Sequence, residues 1–245
     1  EICACLVGSE MCIRDRNCEM YAIAGRNMEK AERFKETYGF QKAYGSYEKL
    51  LADPKVEAVY IPLPNTMHYE WTIRALKSGK HVLCEKPLAP TEAQAEEMFK
   101  AAEENHVYLM EAFAYQHSPY IAAVRKEIEN GTIGDVRYME SAYITSDYDP
   151  KNIRMRRDTL GGCTYDLGVY NTSLILRILG DEPAKVRAIA SFSEEKIDTL
   201  TSAIFEYADG KKAAFSCGMA LATDLDRHID LSLIHISEPT RHAQI

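Results

Sequence analysis

The sequence predicts an α/β protein: a doubly wound parallel sheet, followed by a second α/β domain with a mostly antiparallel open sheet. In the first half, short apolar strands alternate with helices of roughly ten or more residues, a pattern typical of parallel sheets with right-handed crossovers. After Phe113 the pattern changes, and the last three predicted strands follow one another directly, which is typical of antiparallel pairing. With 245 residues and 46% hydrophobic content, the chain can bury a core in one large or two modest domains.

The first elements have clear ends in the sequence. An alternating strand in "CEMYAIAGRN" ends at Gly25, and the helix "NMEKAERFKETYG" has Asn27 as its cap and Gly39 as its stop. A short helix, "SYEKLLADP", begins at the cap Ser46, and the buried strand "VEAVYIPLPN" follows it. The helix "TMHYEWTIRALKSG" then closes at Gly79.

Two further strands complete the predicted parallel sheet. The strand "KHVLCEKP" leads to the helix "EAQAEEMFKAAEENH", where Thr91 and Gln94 form a capping-box pattern. The last strand of this half is "VYLMEAF".

The second half changes pattern. Its helices are "SPYIAAVRKEIENG", which ends at Gly131, and "GGCTYDLGVYNTSLILRILG", which is entered through glycines. Its strands are "GDVRYMESAYIT", "AKVRAIASF", "TLTSAIFEYADG" and "KKAAFSCGMAL". The last two meet across Asp209 and Gly210, a hairpin signal. We expect helices on one face of this sheet and the ligand site in the crevice between the two halves.

Composition excludes several classes of function. A formal charge of −8 and a pI near 5.5 argue against a nucleic-acid partner. No apolar run approaches the roughly eighteen residues of a membrane span, and no signal-like start is present, so we expect a soluble, cytoplasmic protein without a membrane partner. The seven cysteines form no CxxC pairs, which predicts reduced thiols and neither a metal site nor a disulfide framework.

Both termini look foreign to the fold. A DNA sequence that encodes "LSLIHISEPTR" (residues 231–241), reverse-complemented and read one base out of frame, encodes "LVGSEMCIRD" (residues 6–15). We therefore interpret residues 1–16 and 231–245 as translated sequencing adapter. The natural part would be a dinucleotide-binding domain over 17–117 and a substrate and oligomerisation domain over 118–230, both truncated.

Three strings, in their order and spacing, resemble the Gfo/Idh/MocA oxidoreductase family: "IPLPNTMHYEW", "GKHVLCEKPLA" and "NIRMRRDTLGGCTYDLGVY". The chain is most similar to the branch of dimeric dihydrodiol dehydrogenase and NADP-dependent D-xylose dehydrogenase. The resemblance implies a Rossmann domain, then an α/β domain whose open sheet often forms a homo-oligomer interface. The family's first strand and glycine-rich phosphate loop fall where residues 6–16 stand here, and Gly8 lacks the strand-turn-helix context, so we expect poor cofactor binding by this polypeptide.

Lys86 is the predicted centre of the chemistry. Pro87 disfavours a helical conformation at Lys86 and holds it extended at a strand end, where open α/β sheets bind ligands. In the family, this lysine is the catalytic or proton-relaying group. Desolvation and an oxidised nicotinamide nearby would make its ammonium more acidic. The alternative is an exposed Glu-Lys-Pro turn.

Asp166 and Tyr170 are four residues apart and would share one face of a helix. The family places both beside the lysine. We expect Tyr170 to exchange the proton with the substrate oxygen, assisted by Lys86, and Asp166 to bind substrate hydroxyls or orient the pair. Which of the lysine and tyrosine carries the proton stays open. Alternatively, Asp166 is only a negative charge that stabilises the N-terminus of the helix, and Tyr170 is only a half-buried aromatic residue.

Other candidate residues surround this set. Gly161 and Gly162 would let the backbone approach a ligand. Arg154 matches a family position near the substrate, but a solvated basic turn with Arg156 and Arg157 explains it equally well.

The cofactor residues follow strand ends. Gly25 and Arg26 offer no carboxylate for a ribose hydroxyl but a cation for a 2′-phosphate, which favours NADP over NAD. Alternatively, Arg26 faces solvent. Four residues match the family's nicotinamide-side loop: Pro62, Pro64, Asn65 and His68. Glu85 matches a family position near the ribose. His68 alone would more often be a helix-surface histidine, and the sequence does not separate pocket from core for Trp71 and Phe113.

The leading hypothesis is an enzyme that oxidises a vicinal diol, or an aldose at its anomeric hydroxyl, reversibly with NADP. Its partner would be a small polyol, sugar or diol. A regulator that senses dinucleotide without catalysis is the second class, although Lys86 and Tyr170 weigh against it. The third possibility is an inactive fragment.

Overall fold

The computed structural model describes residues 2–3, 18–145, 151–219, 227–231 and 234–236. The chain forms two compact units, a first unit of residues 1–112 and a second unit of residues 113–245. Most of the predicted adapter (residues 4–16, 232–233 and 237–245) lies outside the described residues, as does Gly8. Among the described residues, no helix combines the length and the apolar character that a bilayer crossing requires.

The first unit contains a six-stranded sheet of order β3-β2-β1-β4-β5-β6, the strand order of Rossmann sheets. Its strands are β1 (Ile2–Cys3), β2 (Ala22–Ala24), β3 (Lys42–Tyr44), β4 (Ala58–Ile61), β5 (His81–Glu85) and β6 (Leu109–Ala112). Its helices are α1 (Met28–Tyr38), α2 (Tyr47–Leu51), α3 (Asn65–Lys77) and α4 (Glu92–Glu104). The pairs β2–β3, β4–β5 and β5–β6 are parallel, which confirms the predicted sheet.

The central strand β1 departs from the prediction of a wholly parallel sheet. It is only two residues long and runs antiparallel to both β2 and β4. β1 therefore lies where the first strand of a Rossmann sheet lies, but it runs in the opposite direction to that strand. Because both neighbours are antiparallel to it, β2 and β4 still run the same way, and their carboxyl ends lie at one edge of the sheet.

Local capping signals agree with the predicted helix starts. The side chains of Asn27, Ser46 and Thr91 accept the backbone N–H three residues on, at 3.0, 3.3 and 3.3 Å. Gly39 ends α1 in the left-handed region with φ 76°. These contacts are confined to one turn, so the sequence alone is sufficient to predict them.

The core of the first unit lies between the sheet and helices α2 to α4. Val59 and Ile61 of β4 and Val82 of β5 point into it, together with Leu76 of α3 and Met98 of α4. Alternation along these strands leaves the other face of β5 half-buried. Trp71 belongs to this buried cluster.

The second unit has a mixed sheet of order β12-β11-β7-β10-β9-β8. Four of its five strand pairs are antiparallel and β7–β10 is parallel, as predicted for a mostly antiparallel sheet. The strands are β7 (Tyr138–Ile144), β8 (Lys185–Phe192), β9 (Asp198–Glu206), β10 (Lys212–Gly218), β11 (Arg227–Leu231) and β12 (Ile234–Ile236). The predicted β9–β10 hairpin is confirmed, with Gly210 at φ 87°.

Helices and short turns complete this unit: α5 (Pro119–Glu129), α6 (Val169–Leu179), 3₁₀ turns at Ala114–His117, Ile153–Met155 and Arg157–Thr159, and a π-helical turn at Thr164–Gly168. Helix α6 buries Leu174, Ile175 and Leu179 in a cluster that also contains Phe205 and Phe215 of the sheet. The π turn leads directly into α6.

Candidate active site

The carboxyl ends of the parallel strands bring the predicted cofactor residues of the first unit to one edge of its sheet. Gly25 and Arg26 follow β2, Pro62 and Pro64 follow β4, and Glu85 ends β5. Asn65 is the first residue of α3. In open α/β sheets this edge binds the ligand, next to the place where the strand order reverses.

Lys86 directly follows β5. It is half-buried and Pro87 is buried, so the stretch is not an exposed surface turn. The Lys86–Pro87 peptide bond is cis. The Lys86 N–H donates to Glu85 Oε2 at 3.2 Å, and the Tyr60 hydroxyl donates to the other oxygen of the same carboxylate.

His68 links the loop after β4 to the loop after β5. Its side chain is fully buried, which rules out the alternative of a helix-surface histidine. Nδ1 lies 2.8 Å from the Pro87 carbonyl oxygen and Nε2 lies 2.7 Å from the Leu63 carbonyl oxygen. Burial lowers the pKa of His68, and a neutral ring can donate to only one of these two oxygens. The ring thus contacts the backbone of two loops that carry predicted cofactor residues.

Sequence reasoning missed Glu111, in β6. Its Oε1 accepts the backbone N–H of Leu88 at 2.8 Å. Burial raises the pKa of Glu111. The signal in the sequence is an acidic residue inside the apolar strand "VYLMEAF", next to the carboxyl end of that strand.

In the second unit, the structure brings Arg154 and Asp166 together. Arg154 Nε donates to Asp166 Oδ1 at 3.0 Å, and the Asp166 side chain is only 12% exposed whereas that of Arg154 is 43% exposed. Arg156 instead pairs with Asp158. Of the three arginines, Arg154 is therefore the one joined to a predicted site residue.

The glycine pair lets other parts of the chain approach closely. A Cβ on Gly161 would lie 2.3 Å from the Arg154 carbonyl oxygen, and one on Gly162 would lie 2.1 Å from Asp198 Oδ1. The Gly162 N–H donates to that Arg154 oxygen at 2.8 Å. The glycines therefore let the turn that carries Arg154 pack directly on the start of the site helix.

Asp198, at the start of β9, was also missed by the sequence reading. Its Oδ2 accepts the Thr164 N–H at 2.8 Å, the Thr164 hydroxyl at 2.6 Å, the Thr201 hydroxyl at 2.8 Å and the Cys163 thiol at 3.0 Å. Burial alone would raise the pKa of Asp198, but these donors lower it below its usual value. The carboxylate thus holds the first residues of the π turn, in which Asp166 lies.

Tyr170 lies in the first turn of α6 and is half-buried. Its ring centroid is 5.5 Å from that of Phe113, 5.6 Å from that of Tyr143 and 6.2 Å from that of Tyr115. The Tyr115 hydroxyl is 2.7 Å from Ser173 Oγ, one turn further along α6. Because a π turn intervenes, the α-helical spacing assumed for Asp166 and Tyr170 does not apply, and π turns are frequent at functional sites.

Each unit therefore presents a set of groups suited to proton transfer and hydroxyl binding. The first offers an amine beside carboxylates, at a Rossmann ligand edge. The second offers a phenol packed among aromatic rings and a carboxylate paired with a guanidinium. No cluster of metal-ligating side chains occurs among the residues described above.

Comparison with known proteins establishes the family. Residues 8–113 match the model for the oxidoreductase family with an NAD-binding Rossmann fold, and residues 121–232 match the Gfo/Idh/MocA C-terminal domain. The chain belongs to the Gfo/Idh/MocA family of oxidoreductases. This confirms the resemblance and the two-part α/β architecture.

Two curated relatives give the range of similarity. The chain is 36% identical to an uncharacterized oxidoreductase, ORF334, of Rhizobium meliloti, over 83% of this chain and 61% of that protein. It is 34% identical to a trans-1,2-dihydrobenzene-1,2-diol dehydrogenase of Xenopus laevis, over 81% of this chain and 60% of the relative. The chain thus spans about three fifths of the length of these relatives.

Among solved structures, the chain is similar to KijD10, a 3-ketoreductase from Actinomadura kijaniata in complex with NADP and TDP-benzene. The TM-score is 0.79 at 33% identity, over 86% of this chain and 65% of KijD10. Other structures of KijD10 carry a tyrosine-to-phenylalanine substitution or substitutions of one lysine.

Proposed function

We propose that the protein is an NAD(P)-dependent oxidoreductase that moves a hydride between NADP and a hydroxyl-bearing carbon of a sugar or vicinal diol. The observation that carries this proposal is the half-buried Lys86 at the carboxyl end of β5, in a sheet with Rossmann strand order. Relatives that act on a diol and on a keto sugar support the substrate class.

NADP is the proposed cofactor, with NAD as the alternative. It supplies or accepts the hydride. The residues that would hold it follow the strand ends: Arg26 after β2 for a 2′-phosphate, and the segments at Pro62–Asn65 and Glu85–Pro87 for the nicotinamide half. Arg26 is exposed at the position where a carboxylate would select NAD, and KijD10 was solved with NADP.

Lys86 and Tyr170 would handle the proton that leaves or joins the substrate oxygen. The Tyr170 ring lies among three aromatic rings, which restrict its orientation. A positively charged amine near a phenol lowers the free-energy cost of ionising the phenol. The KijD10 structures with a substituted lysine and a substituted tyrosine involve the same two residue types. We treat the two groups as one coupled pair.

Asp166 would bind substrate hydroxyls, with Arg154 as its positioning partner. Asp166 accepts from Arg154, and a carboxylate can accept several hydrogen bonds, so it can also take a substrate hydroxyl. The Arg154 side chain is 43% exposed, so a bound substrate can reach it.

The test follows NADPH absorbance with a panel of aldoses and trans-dihydrodiols. Lys86→Met and Tyr170→Phe should each lower kcat by about 10²- to 10⁴-fold, the range for loss of general acid–base catalysis. If the two act together, the double variant should lose much less than the product of the single effects. Matched controls are Lys77→Met and Tyr120→Phe, both exposed side chains, which should keep the wild-type rate.

An unchanged rate in either active-site variant contradicts the assigned roles. Tight NADP binding without turnover of any substrate would instead indicate a regulator that senses dinucleotide.

We further propose a homo-oligomer formed through the outer face of the second sheet, where Ile189 is 78% and Ile204 is 50% exposed. Ile189→Lys should lower the sedimentation coefficient, whereas a monomeric wild type would contradict this proposal.

A further inference from the structure

We propose that Glu111 is a positioning residue for Lys86: its carboxylate accepts the Leu88 N–H and so holds the backbone that follows the lysine. This inference rests on the proposed role of Lys86. It assigns a function to a residue on β6, a strand that carries none of the predicted site residues.

The strand register places Glu111 next to the lysine segment. β5 and β6 are parallel, with Cys84 opposite Glu111 and Glu85 opposite Ala112. Glu111 therefore lies beside the last residues of β5, one residue before β6 ends. Residues 111 and 109 share a face of the strand, and Leu109 packs on the core.

A hydrogen bond connects this carboxylate to the backbone after Lys86. The Leu88 N–H donates to Glu111 Oε1 at 2.8 Å, and the Leu88 side chain is buried. The preceding carbonyl oxygen, of Pro87, lies 2.8 Å from His68 Nδ1. Two consecutive residues after Lys86 are thus held by side chains from β6 and α3. A hydrogen bond from an N–H to a carboxylate is stronger than one to a neutral acceptor, so Glu111 restricts this segment more than an amide side chain would.

The experiment tests the hydrogen bond by two substitutions in the 245-residue chain. Glu111→Gln keeps an oxygen that can accept from Leu88, whereas Glu111→Ala removes the acceptor. Amide hydrogen exchange of Leu88, measured by NMR, should rise about 2- to 10-fold in Glu111→Ala and less in Glu111→Gln. Glu104→Gln is the control, an exposed carboxylate at the end of α4.

The effect on Lys86 is measured in turnover. Glu111→Ala should lower kcat by up to about 10²-fold and leave the KM for NADP unchanged, because the amine is displaced from its productive position. Glu111→Gln, which keeps an acceptor for Leu88, should lose less, and Glu104→Gln should keep the wild-type kcat.

Two results would overturn the inference: wild-type Leu88 exchange in Glu111→Ala, or a wild-type kcat in that variant. The exchange measurement does not require turnover. If wild type binds NADP but oxidises or reduces no substrate, the proposed function fails, and the NMR measurements still decide whether Glu111 positions Lys86.

Discussion

Replacement of Gly161 by alanine should disrupt the turn that carries Arg154. The new Cβ would lie 2.3 Å from the Arg154 carbonyl oxygen, 2.6 Å from the Arg154 carbonyl carbon and 2.7 Å from the Arg156 carbonyl oxygen. Favourable contacts between such atoms begin near about 3.5 Å, so the two segments must separate by roughly 1 Å. All three atoms belong to the backbone, which cannot move aside as a flexible side chain can.

The cost follows from the contacts that this separation breaks. The Gly161 N–H donates to the Arg156 oxygen and the Gly162 N–H to the Arg154 oxygen, each at 2.8 Å. Loss of two hydrogen bonds at about 1 kcal/mol each, with about 1–3 kcal/mol of steric strain, predicts destabilisation of roughly 3–5 kcal/mol. Because the same movement loosens the Arg154–Asp166 pair, the substrate KM should also rise.

Urea unfolding followed by circular dichroism measures the stability, and amide exchange at Gly162 reports the local opening. Gly45→Ala is the matched control, since its Cβ would lie 3.4 Å from the flexible side chain of Met28. It should change stability by no more than about 0.5 kcal/mol. Equal urea midpoints and equal Gly162 exchange in Gly161→Ala and wild type would refute the steric argument.

Asp198 and Thr91 give two further predictions. Asp198→Ala leaves the donors of Thr164, Thr201 and Cys163 without their acceptor, so urea unfolding should show a loss of about 3 kcal/mol. Since the pKa of Asp198 is lowered in the folded state, its contribution is complete above the usual aspartate pKa of about 4 and is lost as the pH falls below it. Asp198→Asn should therefore weaken the acid dependence of stability below about pH 4, and an unchanged profile would contradict this. Thr91→Ala removes the cap of α4 and should cost about 1 kcal/mol, whereas Thr91→Ser should cost little; equal melting curves for these two variants would argue against the cap.

Features that depend on neighbouring residues were predictable from the sequence. The caps at Asn27, Ser46 and Thr91 operate within one helical turn, and the alternation of strands and helices predicts a parallel sheet without any knowledge of long-range contacts. Lys86 could be placed because a proline follows it where an apolar strand ends. These are local rules of backbone conformation and side-chain pattern.

Features that depend on distant partners were not predictable. The strand β3 has three residues, too few to show alternation, and its place is fixed by pairing with β2. The spacing of Asp166 and Tyr170 was read as α-helical, because nothing local distinguishes a π turn. The close contacts of Gly161 and Gly162 with residues 154 and 198 depend on distant parts of the chain, so the sequence did not predict them.

Buried carboxylates illustrate why some positioning residues escape a reading of the sequence. A buried carboxylate requires hydrogen-bond donors, so each one fixes the backbone or side chains that supply them. Asp53 does this with Lys42 and Tyr44, before β4 and among residues that carry no predicted chemistry. Glu111 and Asp198 accept N–H groups two residues from Lys86 and from Asp166, respectively. Asp53 is buried, Glu111 and Asp198 are half-buried, and all three accept hydrogen bonds. The distinguishing observation is which backbone donor each one accepts, and that donor becomes known only when strands far apart in the sequence are paired.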